Sequence, residues 1–471
     1  MEMQRSAIME KLALLEEPPC GRPSPELFPG AGRGAPHNGG CAFRGAKLAL
    51  QPITDAAHLV HGPITCQGHS WESRPTCSSG PTIHRSTFIT DMGEMDVIFG
   101  GADKLRRAIR EIAAQCAPTA IFVYQTCLPA MIGDDISAVC KAESLRCGRP
   151  VIAVDAPGFS GDNVQGNEFA GRLLLDRVVG SREPEFTTSA DVNIIGEYNV
   201  AGELNAVRAL LGGIAVRVLA SIPGDGRYED IASSHRAGAA ISLCSRALPG
   251  LASHMRERFG IPFIEGSFYG ISNTSNTLRG IAALLAERGG PPDLPARAEA
   301  LTGREEKKVW DRLSGCRKRL EGKRALLATG GVKSWSLVSV LQELGITVVG
   351  SSMHKSTAAD RRKTAEAMGP SGVLCDDASA RTVESLLSDR GVDVVLSGCG
   401  LQPVAAMAGV PWVEVNHHRL GALSGYEGMA RLAEAIDAAC ANPVFEQAFA
   451  PAPWNRRSNR PPEEGGLAWG A

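Results

Sequence analysis

Short β-branched runs, each followed by a loop and a helical stretch, recur along most of the chain, and this alternation constrains the fold more than any other feature. The runs lie at 120–124, 151–155, 192–196, 216–220, 239–243, 325–328, 347–350, 392–396 and 411–415, with Ala120-Ile121-Phe122-Val123-Tyr124 typical. Helical patterns fill the gaps at 104–115, 135–146, 202–211, 246–259, 335–344 and 427–441. Strands separated by helices pair in parallel and carry helices on both faces. The expected fold is therefore α/β, with three doubly wound, parallel-sheet, Rossmann-like units. Polar breaks at 180–188 and 294–324 divide the chain. The expected parts are a Pro/Gly-rich leader (1–40, with a helical piece at 8–15), units at 41–185 and 186–300, a linker helix with the third unit (301–455), and a disordered tail (456–471).

At 471 residues the chain is too long for one ordinary core. A net charge of −2 excludes the strongly basic footprint of a nucleic-acid binder. No apolar run reaches the roughly 18 residues of a spanning helix, and residues 1–17 mix charges too freely for a secretory signal. A cytoplasmic location follows as the expectation. The thirteen cysteines are then reduced thiols or metal ligands rather than a disulfide framework. No CxxC pair occurs. Cys116, Cys140, Cys316 and Cys440 fall in helical patterns and read as small buried thiols, and Cys20 falls in the leader. Interleaved acids and bases at 304–308 mark the 294–324 span as a solvated connecting helix.

Cys41 (Gly39-Gly40-Cys41) and Cys66 (His61-Gly62-Pro63-Ile64-Thr65-Cys66-Gln67-Gly68) lie beside glycine. An iron–sulfur cluster needs such thiolates: soft anionic ligands with close backbone approach. Cys127 follows the 120–124 strand, at the carboxyl end where ligands collect in doubly wound folds. These three read as an incomplete ligand set that another chain completes. Cys244 follows the 239–243 strand and opens the 246–259 helix, whose N-terminus favours a thiolate. Cys399 is placed similarly. Thr329-Gly330-Gly331-Val332-Lys333-Ser334 lacks P-loop spacing; an anion cradle of glycine amides with Lys333 and a plain tight turn both remain open. Gly158-Phe159-Ser160-Gly161 reads as a turn. His417-His418, adjacent on an extended segment, point to opposite faces and read as surface groups. No hydrolase motif is present.

Several long segments resemble the nitrogenase α-subunit-like superfamily. They are His58-Leu59-Val60-His61-Gly62-Pro63-Ile64-Thr65-Cys66, Phe122 to Cys127 with Ile132-Gly133-Asp134-Asp135, Asn193-Ile194-Ile195-Gly196-Glu197-Tyr198-Asn199, the 260–271 stretch, and Thr329 to Trp335. The similarity runs from about 39 to 454. It implies that Cys41, Cys66 and Cys127 ligate a [4Fe-4S] cluster shared with a NifN-like subunit in an α2β2 heterotetramer. It further implies that Cys244 anchors an iron–sulfur cofactor, that Lys333 stands where a catalytic subunit has a cofactor-contacting arginine, and that Gly330, Gly331, Asn167 and Ser424 also line the cofactor site. Two departures matter. Ser424, before Gly425-Tyr426-Glu427-Gly428, and Asn167 stand where catalytic members carry histidines. The resemblance therefore implies a scaffold that holds an iron-molybdenum cofactor precursor from NifB. Molybdenum and homocitrate are inserted there with the nitrogenase iron protein NifH, and the product is released to apo-nitrogenase. The alternative is a catalytic nitrogenase-like reductase subunit; an unrelated nucleotide-binding α/β protein is a more distant third.

Overall fold

Thirteen strands pair, all in parallel, in three sheets of the computed structural model, which describes residues 40–450 apart from 72–75, 354–355, 371, 376–378 and 417–420. The leader with Cys20, the His417-His418 pair and the 456–471 tail lie outside the described residues. The first sheet has the order β2-β1-β3-β4, from Phe88–Ile89, Ala56–His61, Ala120–Gln125 and Val151–Val154. The second is β6-β5-β7-β8, from Arg217–Pro223, Asp191–Glu197, Ala239–Ser242 and Phe263–Glu265. The third is β11-β10-β9-β12-β13, from Val373–Cys375, Thr347–Ser352, Arg324–Ala328, Val394–Ser397 and Trp412–Glu414. Among the described residues no helix is long and apolar enough to cross a membrane.

All nine expected strands form, and four more appear. β2, β8 and β11 have two or three residues, too few for a periodic signal. β1 is six residues and wholly buried, but His58 and His61 break its apolar pattern. Their rings are accommodated by hydrogen bonds: His58 Nδ1 to Tyr124 Oη (2.8 Å), and His61 Nδ1 to Thr90 Oγ1 (3.0 Å). Burial with its polar atoms paired costs β1 little.

The helices that place the functional residues are α1 (Ala42–Leu50), α2 (Ile64–Trp71), α3 (Cys127–Ile132), α4 (Asn163–Arg177) and α5 (Glu203–Gly213). Further along come α6 (Leu251–Phe259), α7 (Ile271–Glu287), α8 (Leu294–Leu320), α9 (Val332–Glu343) and α10 (Gly425–Cys440). α4 starts on a reciprocal cap: Asp162 accepts the Val164 and Gln165 amides, and Gln165 Oε1 accepts the Asp162 amide. It crosses α1 at glycines, with Gly166 against Ala42 and Gly45 against Asn163. The connecting helix α8 is not merely solvated. Leu294, Ala298, Leu301, Val309, Leu313, Cys316 and Leu320 form one buried face, while the charges of the 304–308 stretch lie on the other. One apolar cluster joins the second and third sheets through α8 and α10, and another joins the first and second.

Candidate functional site

Each sheet reverses its direction of growth once, between β1 and β3, between β5 and β7, and between β9 and β12. The loops leaving two neighbouring strands diverge there and leave a crevice, the usual ligand site of such sheets. The singled-out residues fall at these points: Gly62 and Cys127 at the first, Glu197 and Cys244 at the second, Thr329 to Gly331 and Cys399 at the third.

Cys41, Cys66 and Cys127 come together at the first crevice, as expected. Cys41 is the N-cap of α1 but makes no capping bond, so its sulfur is directed elsewhere; its backbone is pinned by a bridge to Asp162. Cys127 opens α3 after Thr126, whose hydroxyl donates to the His61 carbonyl (3.0 Å). A Cβ on Gly158 would lie 2.9 Å from the Cys127 sulfur and 3.3 Å from the Cys41 sulfur. Read as a plain turn in the sequence, Gly158 is in fact the floor on which two of the thiols converge. Burial, and then the nearby Cys127 and Cys41, push the Cys66 thiol above its usual range, against the pull of the Thr126 and Thr65 hydroxyls.

This donor set fits an iron–sulfur cluster. Three thiols share a glycine-floored pocket, and their mutual repulsion as thiolates would be relieved by a cationic metal core.

At the second crevice Cys244 sits between two glycines. A Cβ on Gly331 would be 3.5 Å from its sulfur, and one on Gly196 (φ +97°) would be 2.8 Å from its backbone nitrogen. The helix expected over 246–259 forms, but only from Leu251 to Phe259. α6 begins at Leu251 because Pro249 disfavours helical backbone at Leu248 and Gly250 (φ +77°) turns the chain. Cys244 is thus held in a loop rather than at a helix start. Burial pushes its thiol up overall; the Arg246 and Ala247 amides oppose this, and Asp360 and Glu197 add to it. The expected depressed thiol does not occur.

Beside Cys244 a closed cavity of about 10 Å³, room for about one water, is lined by Glu197, Ser267, Tyr269, Val332 and Ser424, among others. The Ser424 hydroxyl is engaged, donating to the Glu203 carbonyl at 2.8 Å. Lys333 donates to the Val415 carbonyl (2.9 Å) and lies over the Tyr269 ring. Gly331 (φ +63°) supplies the turn that lets α9 start there. Asn167, on α4, is fully engaged with the protein: its Nδ2 donates to the Gly45 carbonyl, and its Oδ1 accepts from Tyr198 Oη and the Leu248 amide, each at 3.2 Å. Cys399 begins a one-turn 3-10 segment and is partly buried. Of the four helical thiols, Cys140 and Cys316 are buried and Cys440 half-buried. Cys116 is exposed, because its helix ends there and the chain turns out at Ala117 (φ +43°).

Glu197 is the cavity-lining acid that sequence patterning did not weigh; it closes a strand whose apolar run gave no reason to. Burial, and next the Glu203 charge, raise its carboxyl to about 7 against the Asn199 amide and Lys333. The native state therefore holds this proton more tightly than the unfolded chain, whose value is near 4.5. The penalty for ionising it is absent at low pH, grows as pH rises through that window and is constant above it. Glu197→Gln is accordingly expected to gain stability over the parent by up to about 1.4 kcal/mol per pH unit in that window. Urea midpoints of the two chains at several pH values check this, and parallel pH curves would contradict it.

Residues 41–441 match the family model for nitrogenase component 1 type oxidoreductase. The chain is 53% identical to the nitrogenase iron-molybdenum cofactor biosynthesis protein NifE of Bradyrhizobium diazoefficiens, over 88% of this chain and 76% of that one. It is 46% identical to the protein of the same name from Rhodobacter capsulatus, covering 95% and 96% of the two chains. The corresponding Klebsiella pneumoniae protein is 44% identical over 94% and 99%. Among solved structures, nitrogenase Cp1 at pH 6.5 superposes with a TM-score of 0.79 at 26% identity, covering 88% of this chain and 91% of that chain.

Proposed function

This chain belongs to the nitrogenase component 1 type oxidoreductase family, and from that membership we propose that it is a scaffold for assembly of the iron-molybdenum cofactor. The name shared by its relatives supports the assembly role. In this reading an iron–sulfur precursor from NifB is cargo, held through Cys244 while molybdenum and homocitrate are added with the nitrogenase iron protein NifH. It is then passed to apo-nitrogenase.

The observation that carries the reading is the pairing of Cys244 with Ser424. The one thiol at the second crevice is cradled by Gly196 and Gly331, while the side chain at the start of α10 is a hydroxyl committed to a backbone carbonyl. A soft thiolate binds iron strongly and a serine so engaged adds no competing ligand, so the cargo has one protein anchor and can leave. Retention for catalysis would call for a second.

Cys41, Cys66 and Cys127 would hold a resident [4Fe-4S] cluster, with the remaining ligand from a NifN-like subunit in an α2β2 assembly. Bound there, such a cluster supplies one-electron transfer. The chain's own part is to present three thiols on the Gly158 floor and to keep water away by burying Thr126 and His61 beneath them. The exposed apolar side chains of Ile64, Met131 and Phe159, each within a few residues of a ligand or of Gly158, suit a partner that closes the seam.

The test is anaerobic purification with the partner, iron analysis, and assay with iron protein and reductant. Two distinct iron–sulfur signals without sustained dinitrogen reduction are expected. Robust ammonia production would favour the reductase reading, and an iron-free complex would sink both.

A further inference from the structure

Between Cys244 and α6 the chain carries unusual backbone. Leu248 has φ +52°, although it is neither glycine nor asparagine and precedes Pro249. Such a conformation costs on the order of 1–3 kcal/mol and persists only where its surroundings hold it. What holds it is α4. Asn167 Oδ1 accepts the Leu248 amide at 3.2 Å. One turn later Leu248 packs beside Gly171, where a Cβ would be in ordinary contact with it, 3.7 Å from the Leu248 Cβ. Leu248 is 2% exposed. Its peptide plane is thereby fixed, and the preceding amides, Ala247 and Arg246, are the ones aimed at the Cys244 sulfur.

The other atoms of the Asn167 amide extend the linkage. Its Oδ1 also accepts from Tyr198, the residue after Glu197, and its Nδ2 donates to the carbonyl of Gly45, on the helix that Cys41 caps. One buried amide thus touches the segments that follow both second-crevice residues and the helix that carries a thiol of the first.

We propose that Asn167 is a positioning residue: it latches the 244–250 loop so that its amides face the Cys244 sulfur, and it ties that loop to the helix of Cys41. Its amide is bonded to Gly45, Tyr198 and Leu248 of the protein itself. The latch itself needs only the geometry above; its value to cargo rests on the scaffold reading.

Hydrogen exchange on the full-length, metal-free chain tests the latch. Asn167→Ala is expected to speed exchange at 246–250 at least tenfold, while β3, buried throughout, exchanges as in the parent. Asn167→Asp, which keeps the acceptor for Leu248 but sets an oxygen against the Gly45 carbonyl, is expected to restore slow exchange in the loop and not in α1. Unchanged loop exchange in Asn167→Ala, equal acceleration in β3, or an Asn167→Asp chain as fast as Asn167→Ala would overturn the proposal. Iron retention at Cys244, measured separately in the assembled complex, then distinguishes the two claims. A faster loop with lower cargo retention supports both; a faster loop with full retention leaves the latch standing and counts against the cargo role of Cys244.

Discussion

A Cys244→Ala chain, isolated anaerobically with its partner, is expected to keep the iron of the Cys41, Cys66 and Cys127 site and to lose cargo iron by at least tenfold. The two sites rest on different sheets. At the second crevice Cys244 offers the thiol beside Gly196 and Gly331; Ser424 and Lys333 are already bonded to backbone carbonyls. Loss of a single thiolate ligand worth more than about 1.4 kcal/mol suffices for a tenfold change in retention. Alanine fits where cysteine did, so the change in fold stability is expected to stay near about 1 kcal/mol. Separate spectroscopic signals for the two clusters, with iron counts, make the comparison. Parallel loss of both would mean that the sites are not independent.

Gly166→Ala carries the largest expected loss of stability. A Cβ there would fall on the Ala42 carbonyl oxygen, with the Ala42 carbonyl carbon at 2.8 Å and Cα at 2.9 Å. The reciprocal contact, Gly45 against Asn163, is also backbone, so no flexible side chain can give way. Alanine would otherwise gain about 1 kcal/mol of helix propensity over glycine. The clash outweighs this, because α1 and α4 must separate along their crossing, and overpacking of this kind costs about 1–3 kcal/mol or more. Separation also draws Cys41 away from Gly158, so weaker cluster loading should accompany the lower urea midpoint. A variant as stable as the parent, or more so, would show that the helices are not held this closely.

The strand–helix alternation made the parallel sheets readable, since apolar β-branched runs are what doubly covered strands require. Strand β1 was hidden by His58 and His61, whose hydrogen bonds form only across the fold. The helix expected from 246 starts only at Leu251 for a local reason, Pro249-Gly250, that helical periodicity outweighed. Cys41, Cys66 and Cys127 could be grouped from their glycine neighbours and from resemblance. That Gly158 forms their floor could not, because its closeness to Cys41 joins residues over a hundred positions apart. Glu197 and Asn167 acquire their roles from burial and from partners on other elements. A single sequence does not display such partners.

The bond from Ser424 to Glu203 spans 221 positions. Beside it, the Gly425 amide donates to Phe268 and Tyr426 meets Ser275 on α7, so the last long helix seals a wall of the second crevice. A growing chain leaves the ribosome from its N-terminus, at about 5–20 residues per second. From the synthesis of residue 244 until α10 follows, the Cys244 loop is therefore exposed without that wall, next to apolar surface that α10 later covers. The first crevice is complete once α4 has emerged, far earlier. Newly made molecules thus pass through an interval in which one thiol site is finished and the other stands open, and chaperones or oxidants would meet Cys244 in that interval.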